Sequence, residues 1–186
     1  MKISVKAAVR TAAQMLGVGE GVDAYFDGGE TEEGKKDAEL LLECFNRVEN
    51  ELALDYLPLI AEQELSSLSG DVMYAQLSKP AVRILCVEDE EGNCLKYRLF
   101  PDRLKTQAGG LKVIYAYSPA EKSFDGVSDY QTVASERLFV YGMAAEYALA
   151  QGELEAASVW DKKYKEAIEA AYRLPSAKRL RLRRWI

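Results

Sequence analysis

The sequence predicts an α+β fold that is mainly α. Two N-terminal helices and a C-terminal helical hairpin pack as one bundle. A small antiparallel β-sheet of about four strands is inserted between them, and an extended basic tail follows. Three observations carry this. Apolar residues recur at helical spacing at both ends of the chain. Between Asp71 and Tyr117 the period shortens to two, and β-branched and aromatic residues dominate. From Lys178 onward Arg and Leu alternate. The expected division is a bundle from residues 1–60 and 132–173, a β insertion over 71–118 and a docking tail over 174–186.

Ser4 is placed to cap a first helix running to about Leu16, with Val5, Ala8, Val9, Ala12, Ala13 and Leu16 on one face. Gly17 is a natural stop. Gly17 to Gly34 is glycine-rich and acidic and reads as a loop. A second helix starts near Thr31 to Gly34, runs to about Tyr56 and is ended by Pro58. Ala61 to Leu68 reads as a short extra turn. Four strands are expected at Asp71–Leu77, Ala81–Glu88, Cys94–Phe100 and Leu111–Tyr117. Asp89–Asn93 is a hairpin turn with Gly92 available for a positive φ, and Gly109-Gly110 is a second turn. Pro119 to Asp129 is a linker. A third helix spans about Thr132 to Ala150, closed by Gly152, and a fourth spans about Leu154 to Tyr172. Pro175 separates that helix from the tail.

Composition narrows the chemistry. Apolar content of 48% and charged content of 29% are those of a soluble globular protein. The longest apolar run, Leu138 to Ala150, is interrupted by Glu146 and is short of the roughly 20 residues a membrane span requires. MKISVKAAVR lacks the continuous apolar segment and cleavage site of a secretory signal. Location in a cytoplasm, away from membranes, is therefore expected. The sequence has no histidine, which removes Ser-His-Asp and Cys-His catalysis and imidazole metal ligands. Cys44, Cys86 and Cys94 are odd in number and widely spaced, against a disulfide framework and against a metal site. No catalytic residue, cofactor or metal ligand is nominated, and the expectation is a protein that is not an enzyme.

Local motifs point the same way. Gly17-Val18-Gly19-Glu20-Gly21 superficially resembles a phosphate loop, but it follows a helix, lacks the GK[ST] ending and carries Glu20 beside Asp23. Asp89–Asn93 lacks the spacing and closing glutamate of a calcium loop. Glu30, Glu32, Glu33, Asp37, Glu39 and Glu43 suit the positive end of a helix dipole. They also offer an acidic surface that repels DNA or accepts a neighbour's basic tail. Leu138, Tyr141, Tyr147, Trp160, Tyr164, Ile168 and Tyr172 make an aromatic-rich helical hairpin best explained by core packing. It has the look of a single tetratricopeptide unit, but such arrays need about three.

The tail is the most informative segment. Arg173 to Ile186 holds six basic residues and no acid. Of the chain's 24 basic and 30 acidic residues, that leaves 18 against 30 elsewhere, a net charge of −12. Leu180, Leu182 and Ile186 alternate with Arg179, Arg181 and Arg183. That period suits an extended segment laid along another subunit, with basic groups meeting acids and apolar groups entering pockets. Trp and Arg are enriched at interface hot spots. The residues singled out for docking are Lys178, Arg179, Leu180, Arg181, Leu182, Arg183, Arg184, Trp185 and Ile186.

Three stretches resemble the head–tail connector (neck adaptor) proteins of tailed bacteriophages and prophages. They are AELLLECFNRVENELALDYLPL (Ala38–Leu59), RLFVYGMAAEYALAQGELEAASVWDKKYKEAIEAAYR (Arg137–Arg173) with its A-x-x-W-x-x-x-Y face, and the terminal KRLRLRRWI. The resemblance implies a structural virion protein that forms a dodecameric ring under the portal at the virion neck. The ring would assemble in the host cytoplasm, extend the DNA channel and receive tail completion or stopper proteins. It implies a grip on the portal protein by Lys178 to Ile186. DNA would pass an acidic lumen without sequence-specific binding. The alternative is a nucleic-acid-binding accessory protein using the same tail, through phosphate contacts and Trp185 stacking. A small enzyme using only carboxylates is a third reading, for which no pair can be named.

Overall fold

A computed structural model describes residues 2–29, 31–131 and 134–172. The chain is α+β: α1 (Val5–Leu16), α2 (Gly19–Phe26), α3 (Glu32–Glu51), β1 (Leu59–Ser67), β2 (Asp71–Met73), β3 (Ala81–Asp89), β4 (Arg98–Leu99), β5 (Arg103–Lys105), β6 (Gly109–Tyr117), α4 (Glu136–Ala150) and α5 (Leu154–Tyr172). The helices from the two ends of the chain pack on one another: α4 touches α1, α3 and α5. One contiguous apolar cluster runs from Ile3 and Val5 in the bundle to Val113 and Tyr115 in the sheet.

The first helix forms as expected. Ser4 is its N-cap and accepts from the Ala7 N–H at 3.5 Å, and Val5, Ala8, Val9, Ala12 and Ala13 are buried. Gly17 ends it at φ +81°, which a side chain disfavours. The expected Gly17–Gly34 loop instead contains α2 and the first residues of α3. Its glycines divide by role. Gly17 and Gly28 take positive φ at the junctions. Gly21 lies inside α2 and faces Gly34 so closely that a Cβ on Gly34 would stand 2.1 Å from the Gly21 carbonyl oxygen. Glycine content here marks a close crossing of two helices as well as a turn.

α3 carries Ala38, Leu41, Cys44, Phe45 and Val48 on its buried face. Its last turn widens to a π-turn, Leu52–Tyr56, closed by the Leu57 N–H on the Leu52 carbonyl at 2.6 Å. Pro58 follows, as the sequence implied.

The β region departs most from expectation. Ala61–Leu68 is not a turn: it belongs to the nine-residue β1, so the β region begins at Leu59 rather than Asp71. Glu62, Glu64 and Ser66 alternate on its outer side, and that polarity hid the period-two signal. Among the described residues there are six strands in two three-stranded antiparallel sheets, ordered β1-β6-β3 and β2-β5-β4, rather than four strands in one. Asp71–Leu77 shortens to β2 plus a 3₁₀ turn at Tyr74–Gln76. Cys94–Phe100 retains only β4 and a bridge from Cys94 to Glu88. Gly109-Gly110 opens the central strand β6 instead of forming a turn. The Asp89–Asn93 turn is present: the Asp89 carboxylate accepts from the Glu91 and Asn93 N–H groups, and Gly92 sits at φ +83°.

The hairpin α4–α5 is joined at Gly152 (φ +80°). α4 begins at Glu136; of the residues expected to start it, Thr132 and Val133 lie outside the described residues. Phe45 of α3 stacks on Phe139 of α4 with ring centroids 5.0 Å apart. Gly142 lets α4 approach both neighbours, since a Cβ there would lie 2.8 Å from Val48 Cγ1 and 3.0 Å from Tyr164 Cε2.

Two substitutions test this packing by urea unfolding. Gly142→Ala overpacks a stiff β-branched neighbour and is expected to cost about 1–3 kcal/mol. Phe45→Ala empties a fully buried ring site and is expected to cost about 3–5 kcal/mol. A Gly142→Ala protein as stable as the wild type would show that α3 and α4 do not approach at this point.

Candidate functional site

The sequence-selected docking residues Lys178 to Ile186 lie outside the described residues, as does Pro175. The described chain carries the approach to them. α5 ends at Tyr172, which is 57% exposed and donates its hydroxyl to the Tyr56 carbonyl. Tyr172, Tyr56, Pro58, Leu59 and Ile60 border a surface cavity of about 420 Å³. The last described residue, Tyr172, therefore lies beside the first residues of β1.

The most highly organised polar site is one the sequence reading missed. α3 presents Asn46, Glu49 and Asn50 on one face, against the segment linking β6 to α4. Glu49 is buried at 1% exposure. Its Oε1 accepts from Ser128 Oγ at 2.6 Å and from the Asp129 N–H at 2.8 Å. Asn46 mimics a strand neighbour: its amide donates to the Lys122 carbonyl at 3.1 Å and accepts from the Lys122 N–H at 2.7 Å. Ser118 Oγ donates to Asn50 Oδ1 at 2.8 Å. Lys122 Nζ lies 2.8 Å from Asp129 and 3.9 Å from Glu49 Oε2. Lys79 reaches Asp129 at 4.0 Å while lying 3.7 Å above the Tyr117 ring centroid. Tyr130 donates to the Leu57 carbonyl at 2.5 Å. A cleft of about 520 Å³ lies alongside, lined by Glu43, Asn46, Arg47, Glu49, Asn50 and Glu121 among others.

Burial pushes the Glu49 carboxyl above its ordinary value, while its two donors and Lys122 act in the opposite direction. Burial likewise raises the Tyr130 and Tyr164 hydroxyls, and it holds the Cys44 thiol up at about 12. The tyrosines donate to internal partners. Tyr147 donates to Asp37 at 2.8 Å, and Tyr164 donates to Glu51 at 3.3 Å. The arrangement is a clamp: Glu49 Oε1 is matched by two donors, while Glu49 Oε2 is buried without a hydrogen-bond partner and has only Lys122 Nζ at 3.9 Å for compensation.

Elsewhere, charge and thiols reach the surface. Glu64, Glu88, Asp89, Glu90 and Glu91 border a groove of about 720 Å³ with Lys112, which pairs with Glu62. Of the expected acidic helix cluster, Glu32 and Glu33 occupy the first turn of α3, and Glu43 is drawn to Arg47 at 3.7 Å. Cys86 and Cys94, set aside on spacing, come to 2.9 Å between sulfurs, with Glu88 completing a cluster of three donor groups. The predicted hairpin turn held the signal: it folds Cys94 opposite Glu88, on the face that Cys86 shares. Among the described residues no helix is long and apolar enough to cross a membrane. No protein-family model matches the chain, and no curated protein sequence matches it.

The clamp predicts a pH effect. The native chain holds the Glu49 proton more readily than the unfolded chain, where the group titrates near 4.5. Stability linked to that proton is full below 4.5 and is lost as pH rises through the raised native value. Glu49→Gln keeps an acceptor for Ser128 and Asp129 and cannot ionise. Urea melts should therefore show Glu49→Gln gaining on the wild type as pH is raised from 4.5 to 8. Glu49→Ala strands the donors and should cost about 2–4 kcal/mol. A pH-independent difference between the wild type and Glu49→Gln would contradict the buried-carboxylate account.

Proposed function

We propose that this protein is a structural head–tail connector of a tailed phage or prophage. It forms a ring under a portal, extends the DNA channel and docks through Lys178 to Ile186. The observation that carries the reading is the segregation of charge: six basic and no acidic residues in the last fourteen, against −12 over the remainder. A segment of that composition is attracted to an acidic surface and gains from burying Leu180, Leu182, Trp185 and Ile186 on arrival. The described fold supports it in two ways. Helices from both ends of the chain make one bundle, which leaves the two sheets as an excursion available for contacts with neighbours. Tyr130, Tyr147, Tyr164 and one oxygen of Glu49 are hydrogen-bonded within the protein, which suits assembly rather than turnover.

In a ring the acidic groups would face passing DNA and repel it, so DNA slides without adhering. The partners are the portal, further copies of the chain in a dodecameric ring, and the tail completion or stopper proteins that follow. The place of action is the virion neck, after assembly in the host cytoplasm.

The test is a chain lacking Lys178 to Ile186, mixed with assembled portal and followed by light scattering. The truncated protein is expected to keep the circular dichroism and melting temperature of the full chain and to lose portal binding by at least tenfold. Portal binding at full strength would overturn the docking role. Tight, strongly salt-dependent binding of the full chain to free duplex DNA would favour a nucleic-acid accessory role instead.

A further inference from the structure

We propose that Cys86 and Cys94 form an oxidative modification site, closing to an intrachain disulfide on reaction with a hydroperoxide. The inference rests on geometry and is independent of the connector reading. Cys86 lies on β3 where the register with β6 shifts between Ile84 and Cys86. That irregularity puts Cys86 opposite Ile114, while Ile84 and Val87 are both buried. The chain then turns at Asp89–Asn93 and returns. The Asp89 N–H donates to the Asn93 carbonyl at 3.0 Å, and the Leu95 N–H donates to the Val87 carbonyl at 2.7 Å. These two bonds flank the Glu88–Cys94 bridge and fix Cys94 diagonally across from Cys86. Both thiols are free, half-buried and exposed respectively, with sulfurs 2.9 Å apart. A disulfide needs about 2.05 Å, so the sulfurs must approach by about 0.9 Å, within reach of small side-chain rotations.

The order of events follows from the surroundings. The Cys86 thiol is pushed up to about 11, chiefly by its hydrogen bond with Cys94, and Cys94 is the more exposed of the two, so a peroxide meets Cys94 first. The Cys94 thiolate attacks an oxygen of hydrogen peroxide. The O–O bond breaks, giving the Cys94 sulfenic acid and a hydroxide that leaves as water on taking a proton. The Cys86 sulfur then attacks Cys94 Sγ, the S–O bond breaks and the S–S bond forms. The departing hydroxide leaves as water with the Cys86 proton. In sum, two thiols lose two electrons and two protons, and one peroxide becomes two waters.

The chain supplies its own internal control. Cys44 is buried, and its thiol stays protonated. In the native reduced protein a thiol reagent such as dithionitrobenzoate is therefore expected to find two thiols per chain, and three in denaturant. After treatment with stoichiometric hydrogen peroxide these should fall to none and one. The intact mass should drop by two hydrogen atoms, and the protein should stay monomeric on a non-reducing gel. Cys86→Ser should remove this protection, leaving Cys94 to gain oxygen atoms or to link two chains. Persistence of two native thiols after peroxide, or oxygen addition to the wild type without loss of hydrogen, would overturn the proposal. Tight cobalt(II) binding by the reduced protein with thiolate charge-transfer absorption would also overturn it, assigning the cluster with Glu88 to a metal ion instead.

Discussion

Glu49 is the constraint on which the architecture depends. It is a carboxylate removed from water, and the groups that satisfy it come from one short stretch of a connecting segment, Ser128 and Asp129. The same segment supplies the Gly126 and Phe124 carbonyls that accept the Val5 and Lys6 N–H groups at the start of α1. It also places Phe124 edge-on to Phe26 of α2, with centroids 5.0 Å apart. A single strip of chain thus joins α1, α2 and α3 just before α4 begins. The path from sheet to bundle has one seating, because any slip would leave a buried carboxylate without donors and a helix start without acceptors.

A buried charge is a costly way to hold a loop. An apolar side chain of similar volume would bury as much surface and be indifferent to which backbone groups lay against it. Glu49 distinguishes among them, and Asn46 adds a paired donor and acceptor that fit only an extended backbone at Lys122. Lys122 compensates both Asp129 and, at longer range, Glu49. The clamp therefore selects register, while the Phe45–Phe139 stack and the close approach at Gly142 supply the packing that makes the register worth holding.

Inward-facing chemistry and outward-facing charge divide the molecule. Tyr130, Tyr147, Tyr164 and one oxygen of Glu49 bond to internal partners, and Cys44 lies in the apolar core. The groups that face water are an acidic groove at the end of the first sheet, a thiol pair on its hairpin and the polar edge of β1. Such a surface suits contacts with other macromolecules, and the basic terminal segment has the opposite charge to it.

Local sequence determined the helices with strong period and clear ends: α1 with its Ser4 cap and Gly17 stop, α3 up to Pro58, and the α4–α5 pair around Gly152. Each is set by contacts three or four residues apart, or by one glycine at positive φ, so short-range pattern suffices. The hairpin turn at Asp89–Asn93 was legible for the same reason. Tertiary structure decided the rest. Gly21 in α2 reads as a loop residue in sequence because its role is to admit α3 at Gly34, a contact that only the packed helices make. β1 was misread because its outer face is charged and its inner face becomes apolar surroundings only when β6 lies beside it. The Glu49 clamp was invisible because Glu49 and Ser128 are far apart in the chain, and a glutamate among other glutamates on a helix announces nothing until a loop covers it. Charge segregation, by contrast, needs no fold to be seen, since it is a property of composition along the chain.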